Sequence, residues 1–180
     1  MADALKQSMR ISKNIQSIVS KLGKTYVAEA GWFPETGSYS NGAPIAMIAR
    51  IQEYGANIRV FGKTPAVIPP RPFVRPTVRE YGARYRSLAA KGVVTEIMRK
   101  GGNPLKPMAM LAERIVGDLK KAIIAVTEPP LRPLTIELRK RRWAGIPKKK
   151  KQIKHAEILE KPLIDTGRLI NSTSGKSYTR

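Results

Sequence analysis

The triplet Asp165-Thr166-Gly167, in the stretch "KPLIDTGRLINS", has the residue types of an aspartic protease loop. Such an enzyme needs two aspartates that share one proton, so that one acts as base and the other as acid on a water molecule. With a single triplet, the chain could meet this need only as a dimer across the site. Arg168 follows directly and would keep the Asp165 carboxylate ionised, which opposes proton sharing. The residues therefore favour a structural turn, in which Asp165 accepts backbone hydrogen bonds and Gly167 supplies a permissive φ angle.

Two further triplets have the letters of a phosphate-binding loop but not its spacing. The sequence Gly-Lys-Thr occurs at 23–25 and at 62–64. A phosphate-binding loop requires a second glycine five residues before the one that precedes the lysine, so that backbone N–H groups can surround the phosphates. Ile18 and Asn57 occupy those positions. Nucleotide hydrolysis is therefore not expected.

Metal-dependent and triad chemistry also lack their residue types. The chain has one histidine, His155, and no cysteine. This composition excludes a multi-histidine or thiolate metal site, and it excludes disulfides. His155 lies in a lysine-rich stretch, where a solvated side chain is a simpler interpretation than the base of a Ser-His-Asp triad. We therefore expect a protein that is not an enzyme and that has no catalytic residue, no metal and no cofactor.

Positive charge is the main compositional feature, with 34 Lys and Arg against 13 Asp and Glu and a net charge of +21. A field of this sign attracts polyanions, nucleic acid first, although a solvated face or an acidic protein neighbour would also account for it. Nine of the basic residues lie between Arg139 and Lys154, a segment without acids. The candidate DNA- or partner-contacting residues are Arg139, Lys140, Arg141, Arg142, Lys148, Lys149, Lys150, Lys151 and Lys154.

Hydrophobic spacing predicts the elements of the first half of the chain. Apolar residues at helical intervals predict an N-terminal helix over 1–22, and alternation over 26–33 predicts a strand. A short helix is expected between Pro44 and Gly55, with Gly55 as its C-terminal cap. The proline-rich block 67–77 is expected to be non-helical, because proline removes donors and pushes each preceding residue to extended angles.

The second half is expected to be largely helical. Thr77 to Glu80 has the pattern of a capping box and predicts a helix that ends before Gly101. Asn103-Pro104 opens the most regular helical pattern, which continues to Val126. A short helix is expected from Thr135, a charged basic loop over about 143–160, and a turn followed by a strand over 162–178.

These elements predict an α+β protein with a small antiparallel sheet packed with several helices, plus extended Pro-rich and Lys-rich arms. The length suits a single domain over 1–180. No apolar run reaches membrane-spanning length, and no signal peptide is visible, so we expect a soluble protein from a reducing interior.

Five blocks of the sequence, taken in order, resemble the tail-completion and neck (head-tail connector) protein family of tailed bacteriophages. They are "AGWFP", "NGAPIAMIARIQEYGA", "IPPRPFVRPTV", "PPLRPLTIELR" and "KPLIDTGRLINS". The resemblance covers about Val27 to Ser172, and the basic stretch after Arg139 departs from the family pattern. It implies that the Asp-Thr-Gly-Arg-Leu block begins the last strand, so that Asp165, Gly167 and Arg168 are structural turn residues.

The resemblance also implies a function. Proteins of this family are virion structural proteins that form homo-oligomeric rings, here expected to be sixfold or twelvefold, at the head-tail junction or tail end. Expected neighbours are other neck, portal-adaptor or tail-tube proteins, with non-specific contact to DNA in the channel and no membrane. The location would be the virion, assembled in the host cytoplasm. A sequence-independent nucleic-acid-binding protein is the alternative, although few aromatic residues accompany the basic run.

Overall fold

The structure is a computed structural model that describes residues 2–60, 64–144 and 160–180. The helices are α1 (Ala2–Leu22), α2 (Ile45–Tyr54), α3 (Val74–Met98), α4 (Leu105–Ala125), α5 (Pro133–Ala144) and α6 (Arg168–Asn171). The strands are β1 (Tyr26–Gly31), β2 (Ala56–Val60), β3 (Thr64–Ile68) and β4 (Ser174–Thr179). The predicted α+β class is confirmed.

The chain forms two compact units. The first contains Met1–Ala30, Tyr81–Ile115 and Gly175–Arg180, and the second contains Gly31–Glu80 and Val116–Ser174. Helices α3 and α4 each contribute residues to both. The expectation of a single domain over 1–180 is not tested by this division and stays a prediction.

The first unit combines α1, the sheet of β1 and β4, and parts of α3 and α4. Thr25 and Arg180 exchange both of their backbone hydrogen bonds, at 3.3 and 2.9 Å, as opposed residues of an antiparallel pair do. The buried side chains of this unit include Tyr85, Ile97, Met108, Leu111 and Ala112. Asn103 caps α4 through its Oδ1 atom, which accepts the N–H of Leu105 at 3.0 Å.

The second unit has its own apolar core, formed by Ile45, Ala49, Phe73, Ile123, Leu163 and Leu169. Strands β2 and β3 form an antiparallel hairpin in which Ala56 is opposite Ile68. Helix α2 ends at Gly55, whose φ of +76° and N–H bond to the Ile51 carbonyl confirm the predicted cap.

Two predictions of element boundaries were wrong, and one element was missed. Helix α3 begins at Val74 and not at the capping box, so 74–77 of the proline-rich block is helical. Pro76 fits there because the first-turn N–H groups have no partner within the helix. The Asp-Thr-Gly block does not begin the last strand: Gly167, with φ of +73°, precedes the single turn of α6, and β4 starts at Ser174. The β2–β3 hairpin was not predicted.

The expected basic loop over 143–160 is mostly outside the described residues, because Ala144 still belongs to α5 and 145–159 are not described. The proline-rich segment differs from a free arm, since its Arg71 and Phe73 are buried in the second unit. Across 2–60, 64–144 and 160–180, none of the helices has the length and apolar character needed to cross a membrane.

Candidate functional site

The five sequence blocks quoted above meet in the second unit. Trp32, from the first block, donates its indole N–H to the carbonyl of Leu169 in the last block, at 2.8 Å. Its ring also packs edge-on against Phe73 of the third block, with centroids 5.6 Å apart and ring planes at 89°. A tryptophan that is half-buried in this way needs a partner for its polar N–H group. Trp32 therefore joins three segments that are distant in sequence.

Glu53, from the second block, is the cap of helix α3. Its side chain is buried, and its carboxylate accepts the backbone N–H groups of Phe73, Val74 and Arg75 at 2.7 to 3.0 Å. The Arg75 guanidinium donates to the same carboxylate at 2.9 Å. Three of the donors that a helix leaves unpaired at its N-terminus are thus satisfied by one residue.

The environment of Glu53 favours its charged form. Burial acts to raise the pKa of this carboxyl, whereas the three backbone hydrogen bonds and the Arg75 side chain act to lower it. The balance holds the pKa of Glu53 below its ordinary value of 4.5. A negative charge at the positive end of α3 is also favoured by the helix dipole.

Arg71, from the third block, is buried and connects the proline-rich segment to the fourth block. Its guanidinium donates to the carbonyls of Pro129 and Pro130 at 2.8 and 3.1 Å. Its backbone N–H donates to the Gln52 carbonyl at 2.7 Å. Both carbonyls lie in a segment outside the helices and strands, and a planar guanidinium with several donors can bind the two together.

Arg139, the first of the predicted contact residues, is part of the interior of this unit. Its guanidinium donates to the carbonyls of Lys161 and Ile164 at 2.8 and 3.0 Å, and to that of Pro162 at 3.4 Å. Burial acts to lower the pKa of Arg139, with Asp165 acting to raise it and Arg142 to lower it, and the pKa lies below its ordinary value. The structure thus assigns this guanidinium to fixing the turn before α6.

Asp165 sits between two arginines of α5. Arg142 donates to its Oδ2 atom at 2.6 Å, and Nε of Arg139 lies 3.7 Å from Oδ1. Arg168, which the sequence suggested as the partner of Asp165, instead lies with its guanidinium over the Tyr39 ring at 5.7 Å. Tyr39, Arg139, Asp165 and Arg168 border a cavity of about 240 Å³ in the second unit. Asp165 and Gly167 lie in the bend before α6, and Arg168 is the first residue of that helix. The cations that hold the Asp165 carboxylate come from α5.

The other predicted basic residues divide into two groups. Lys140, Arg141 and Arg142 are exposed on α5, where Arg141 forms an ion pair with Glu137 one turn away. Lys148, Lys149, Lys150, Lys151 and Lys154 lie outside the described residues. The described part of α5 therefore offers Lys140 as an exposed cation beside two arginines that have acidic partners.

Sequence reasoning missed Glu53, Arg71 and Trp32. A signal for Glu53 was present, because Ile45, Ala49 and Glu53 are four residues apart and so share one face of α2. An acid in line with two core residues requires a buried partner. Arg71 and Trp32 carried no comparable signal, since their partners are backbone carbonyls of remote segments.

No family model, curated protein or solved structure matches this chain. In the part of the chain that the structure describes, no group of three His, Cys, Asp or Glu residues could hold a metal ion.

Proposed function

We propose that this chain is a non-enzymatic structural protein of a tailed-phage virion, which forms an oligomeric ring at the head-tail junction as a neck, tail-completion or tail-terminator subunit. The observation that carries the proposal is the linkage of the five blocks. Trp32, Glu53, Arg71 and Arg139 each connect one block to another through specific hydrogen bonds. These bonds explain why the five short segments occur together in one chain.

The surroundings of Asp165 support a structural role for the Asp-Thr-Gly triplet. Its carboxylate is engaged by Arg142 and flanked by Arg139, and the following glycine starts α6. Each oxygen of this carboxylate thus faces an arginine, whereas acid-base catalysis by a pair of aspartates needs a second carboxylate that shares a proton. The triplet is thus accounted for by the turn between α5 and α6.

The charge of the chain agrees with a position beside DNA. A net charge of +21 favours contact with the phosphate backbone, without any requirement for base recognition. A ring that DNA traverses needs this attraction to be non-specific and weak, so that the DNA is not held in place.

Electron microscopy of tailed particles that carry this protein would test the proposal. A gold-labelled antibody raised against the whole chain should mark the head-tail junction or the adjacent tail end, with particles from an unrelated phage as the control. Label on the capsid faces or along the tail shaft, or a protein absent from purified particles, would contradict the proposal.

A further inference from the structure

Helix α1 carries an apolar stripe that is not covered within the described chain. The stripe consists of Ile11, Ile15, Val19 and Leu22, which are between 54% and 64% exposed. At 3.6 residues per turn, these positions fall within about 80° of the helix circumference. Lys6, Arg10 and Lys13 lie on the opposite side. The helix is therefore amphipathic, with its apolar side facing solvent.

Helix α1 packs against its own unit near its C-terminal end, and it does so through residues outside the stripe. Ser17, Ile18 and Lys21 are half-buried, and the Tyr26 hydroxyl donates to the Lys21 carbonyl at 3.0 Å. From Arg10 to Gln16 every side chain is exposed. A helix of this length gains most of its stability from packing its apolar side. The stripe of α1 thus has the features of a surface that a partner covers.

A groove between α3 and α4 in the same unit offers an apolar surface that could receive the α1 stripe. It has a volume of about 480 Å³ and an apolar lining of Leu88, Gly92, Pro107, Met110 and Leu111. Leu88 and Met110 are 41% and 66% exposed. Gly92 keeps the two helices close, because a Cβ atom there would lie 2.6 Å from Cβ of Pro107.

The groove and the stripe match in length. The groove is lined from Leu88 to Glu96 on α3 and from Lys106 to Arg114 on α4, which is about 12 Å of helix on each side. Ile11, Ile15 and Val19 also span about 12 Å. Three successive apolar side chains on one helix are the usual anchors of a helix in a groove.

We propose that α1 of one copy docks its stripe into the α3–α4 groove of a second copy of this chain. The contact is heterologous: each copy uses its stripe on one neighbour and receives the stripe of the other in its groove. Such contacts close into rings or continue as filaments, whereas a contact between two α1 stripes would stop at a dimer and leave the groove uncovered. The inference rests on the proposed ring-forming function and names the contact that forms the ring.

The size of the surface also favours a ring over a dimer. Each aliphatic side chain of the stripe removes on the order of 100 Å² from water when covered. With a similar area from the groove, one contact buries about 800 Å², below the roughly 1,000 Å² of a specific interface. A single contact is therefore weak, but every copy in a closed ring has two.

Charge predicts how this association depends on salt. The lining of the groove carries three cations, Lys91, Lys106 and Arg114, against one acid, Glu96, and the outer side of α1 is also basic. Copies with a net charge of +21 repel one another, and salt screens this repulsion while leaving the apolar contact in place. Self-association should thus become stronger as salt is raised. An acidic protein or nucleic acid on the same surface would bind less tightly under these conditions.

Sedimentation velocity of the full chain and four variants tests the inference. Ile15→Glu alters the stripe and Met110→Glu alters the groove. The matched controls are Met9→Glu, on α1 outside the stripe, and Val94→Glu, on α3 outside the groove lining, both at exposed apolar positions. At about 500 mM NaCl, the wild type and the controls should assemble, and Ile15→Glu and Met110→Glu should associate at least 10-fold more weakly. Circular dichroism should show unchanged helix content.

A mixture of the two variants gives a sharper result. Ile15→Glu retains its groove and Met110→Glu retains its stripe, so an equal mixture should form a heterodimer but no larger species. Full-size assemblies from either variant alone, a groove variant that behaves like the wild type, or a monomeric wild type would overturn the inference. So would tighter assembly at about 50 mM than at about 500 mM NaCl.

Lipid vesicles containing phosphatidylglycerol test whether the stripe of α1 binds an anionic membrane surface instead of a second copy. We expect the wild type and Ile15→Glu to co-sediment with these vesicles to the same extent. Co-sedimentation of the wild type but not of Ile15→Glu would assign the stripe to an anionic surface and overturn the inference. If gold label marks the head-tail junction but Ile15→Glu and Met110→Glu assemble as the wild type does, this contact is rejected and the proposed function still stands.

Discussion

Glu53 combines a buried position, a negative charge and four hydrogen bonds, so its loss should destabilise the second unit. Its carboxylate caps α3 from another helix, α2. Removal leaves backbone donors without partners in a region that water reaches poorly, which makes the cost larger than that of one lost hydrogen bond. Arg75 would lose its acidic partner at the same time.

We predict that Glu53→Ala lowers the free energy of unfolding by about 2–4 kcal/mol. Glu53→Gln should cost less, since the amide oxygen still accepts one or two of the bonds. Urea denaturation monitored by circular dichroism measures both. Glu137→Gln, at an exposed ion pair on α5, is the control and should change stability little. Equal effects of Glu53→Ala and Glu137→Gln would contradict the assigned cap.

The same residue predicts a dependence on pH. Because the pKa of Glu53 is lower in the folded state than its ordinary 4.5, the charged form stabilises the fold above pH 4.5. This contribution should be lost as the pH falls from 4.5 through the lower folded-state value. Urea titrations between about pH 6 and pH 3 should therefore show a smaller loss of stability for Glu53→Gln than for the wild type. Parallel curves for the two proteins would argue against a lowered pKa.

Asp165 tests the structural interpretation of the Asp-Thr-Gly triplet. We predict that Asp165→Asn weakens the contact between α5 and the turn before α6, because Arg142 and Arg139 lose an anionic partner. The effect should appear only in folding or assembly. Peptide cleavage by the purified wild type that is sensitive to pepstatin and abolished by Asp165→Asn would overturn this interpretation.

At the scale of elements, Gly92 and Gly117 make a matched pair. Both lie inside helices, where alanine is favoured over glycine by roughly 0.5–1 kcal/mol. Gly117 has nothing within 4 Å of an added Cβ atom, so Gly117→Ala should stabilise the protein by about this amount. An added Cβ at Gly92 would meet the rigid ring of Pro107 at 2.6 Å.

We therefore predict that Gly92→Ala destabilises by about 1–3 kcal/mol, because the clash forces α3 and α4 apart. Thermal unfolding of the two variants against the wild type should shift in opposite directions. A stabilised Gly92→Ala would mean that the two helices are not held as close as the structure places them. Such a result would also contradict the close contact between Gly92 and Pro107 on which the proposed groove depends.

Local periodicity was sufficient for some elements and insufficient for others. Helices α1, α2 and α4 have long apolar patterns with recognisable ends, such as Asn103 and Gly55, and their prediction was confirmed. Helix α3 starts earlier than predicted because its cap, Glu53, lies in another helix. The single turn of α6 is too short for a periodic signal, and Pro65 hides the β2–β3 hairpin, since proline is uncommon within strands.

The site was less predictable than the elements. The sequence indicated Asp165, Gly167 and Arg168 as a turn, but not the arginines of α5 that hold it. Trp32 and Leu169 are 137 residues apart, and the bond joins a side chain to a backbone carbonyl. Because every residue type has a backbone carbonyl, no sequence pattern could identify Leu169 as the partner of Trp32. Contacts of this kind become visible only in three dimensions.

At the scale of the whole molecule, charge predicts weak DNA binding without sequence preference. With many dispersed phosphate contacts, affinity should drop by orders of magnitude between about 50 and 200 mM salt. Fluorescence anisotropy with a labelled duplex, competed by duplexes of mixed sequence, measures both properties. All competitors should be equivalent. Tight binding to one defined duplex at physiological salt would favour a dedicated nucleic-acid-binding protein over a ring subunit.

The central claim is that copies of this chain assemble into a closed ring. Negative-stain electron microscopy of the purified full chain at about 500 mM NaCl, where repulsion between the basic copies is screened, tests it most directly. We predict closed rings of uniform diameter, with sixfold or twelvefold symmetry in class averages. Separate particles the size of one copy, at every protein concentration examined, would contradict the claim.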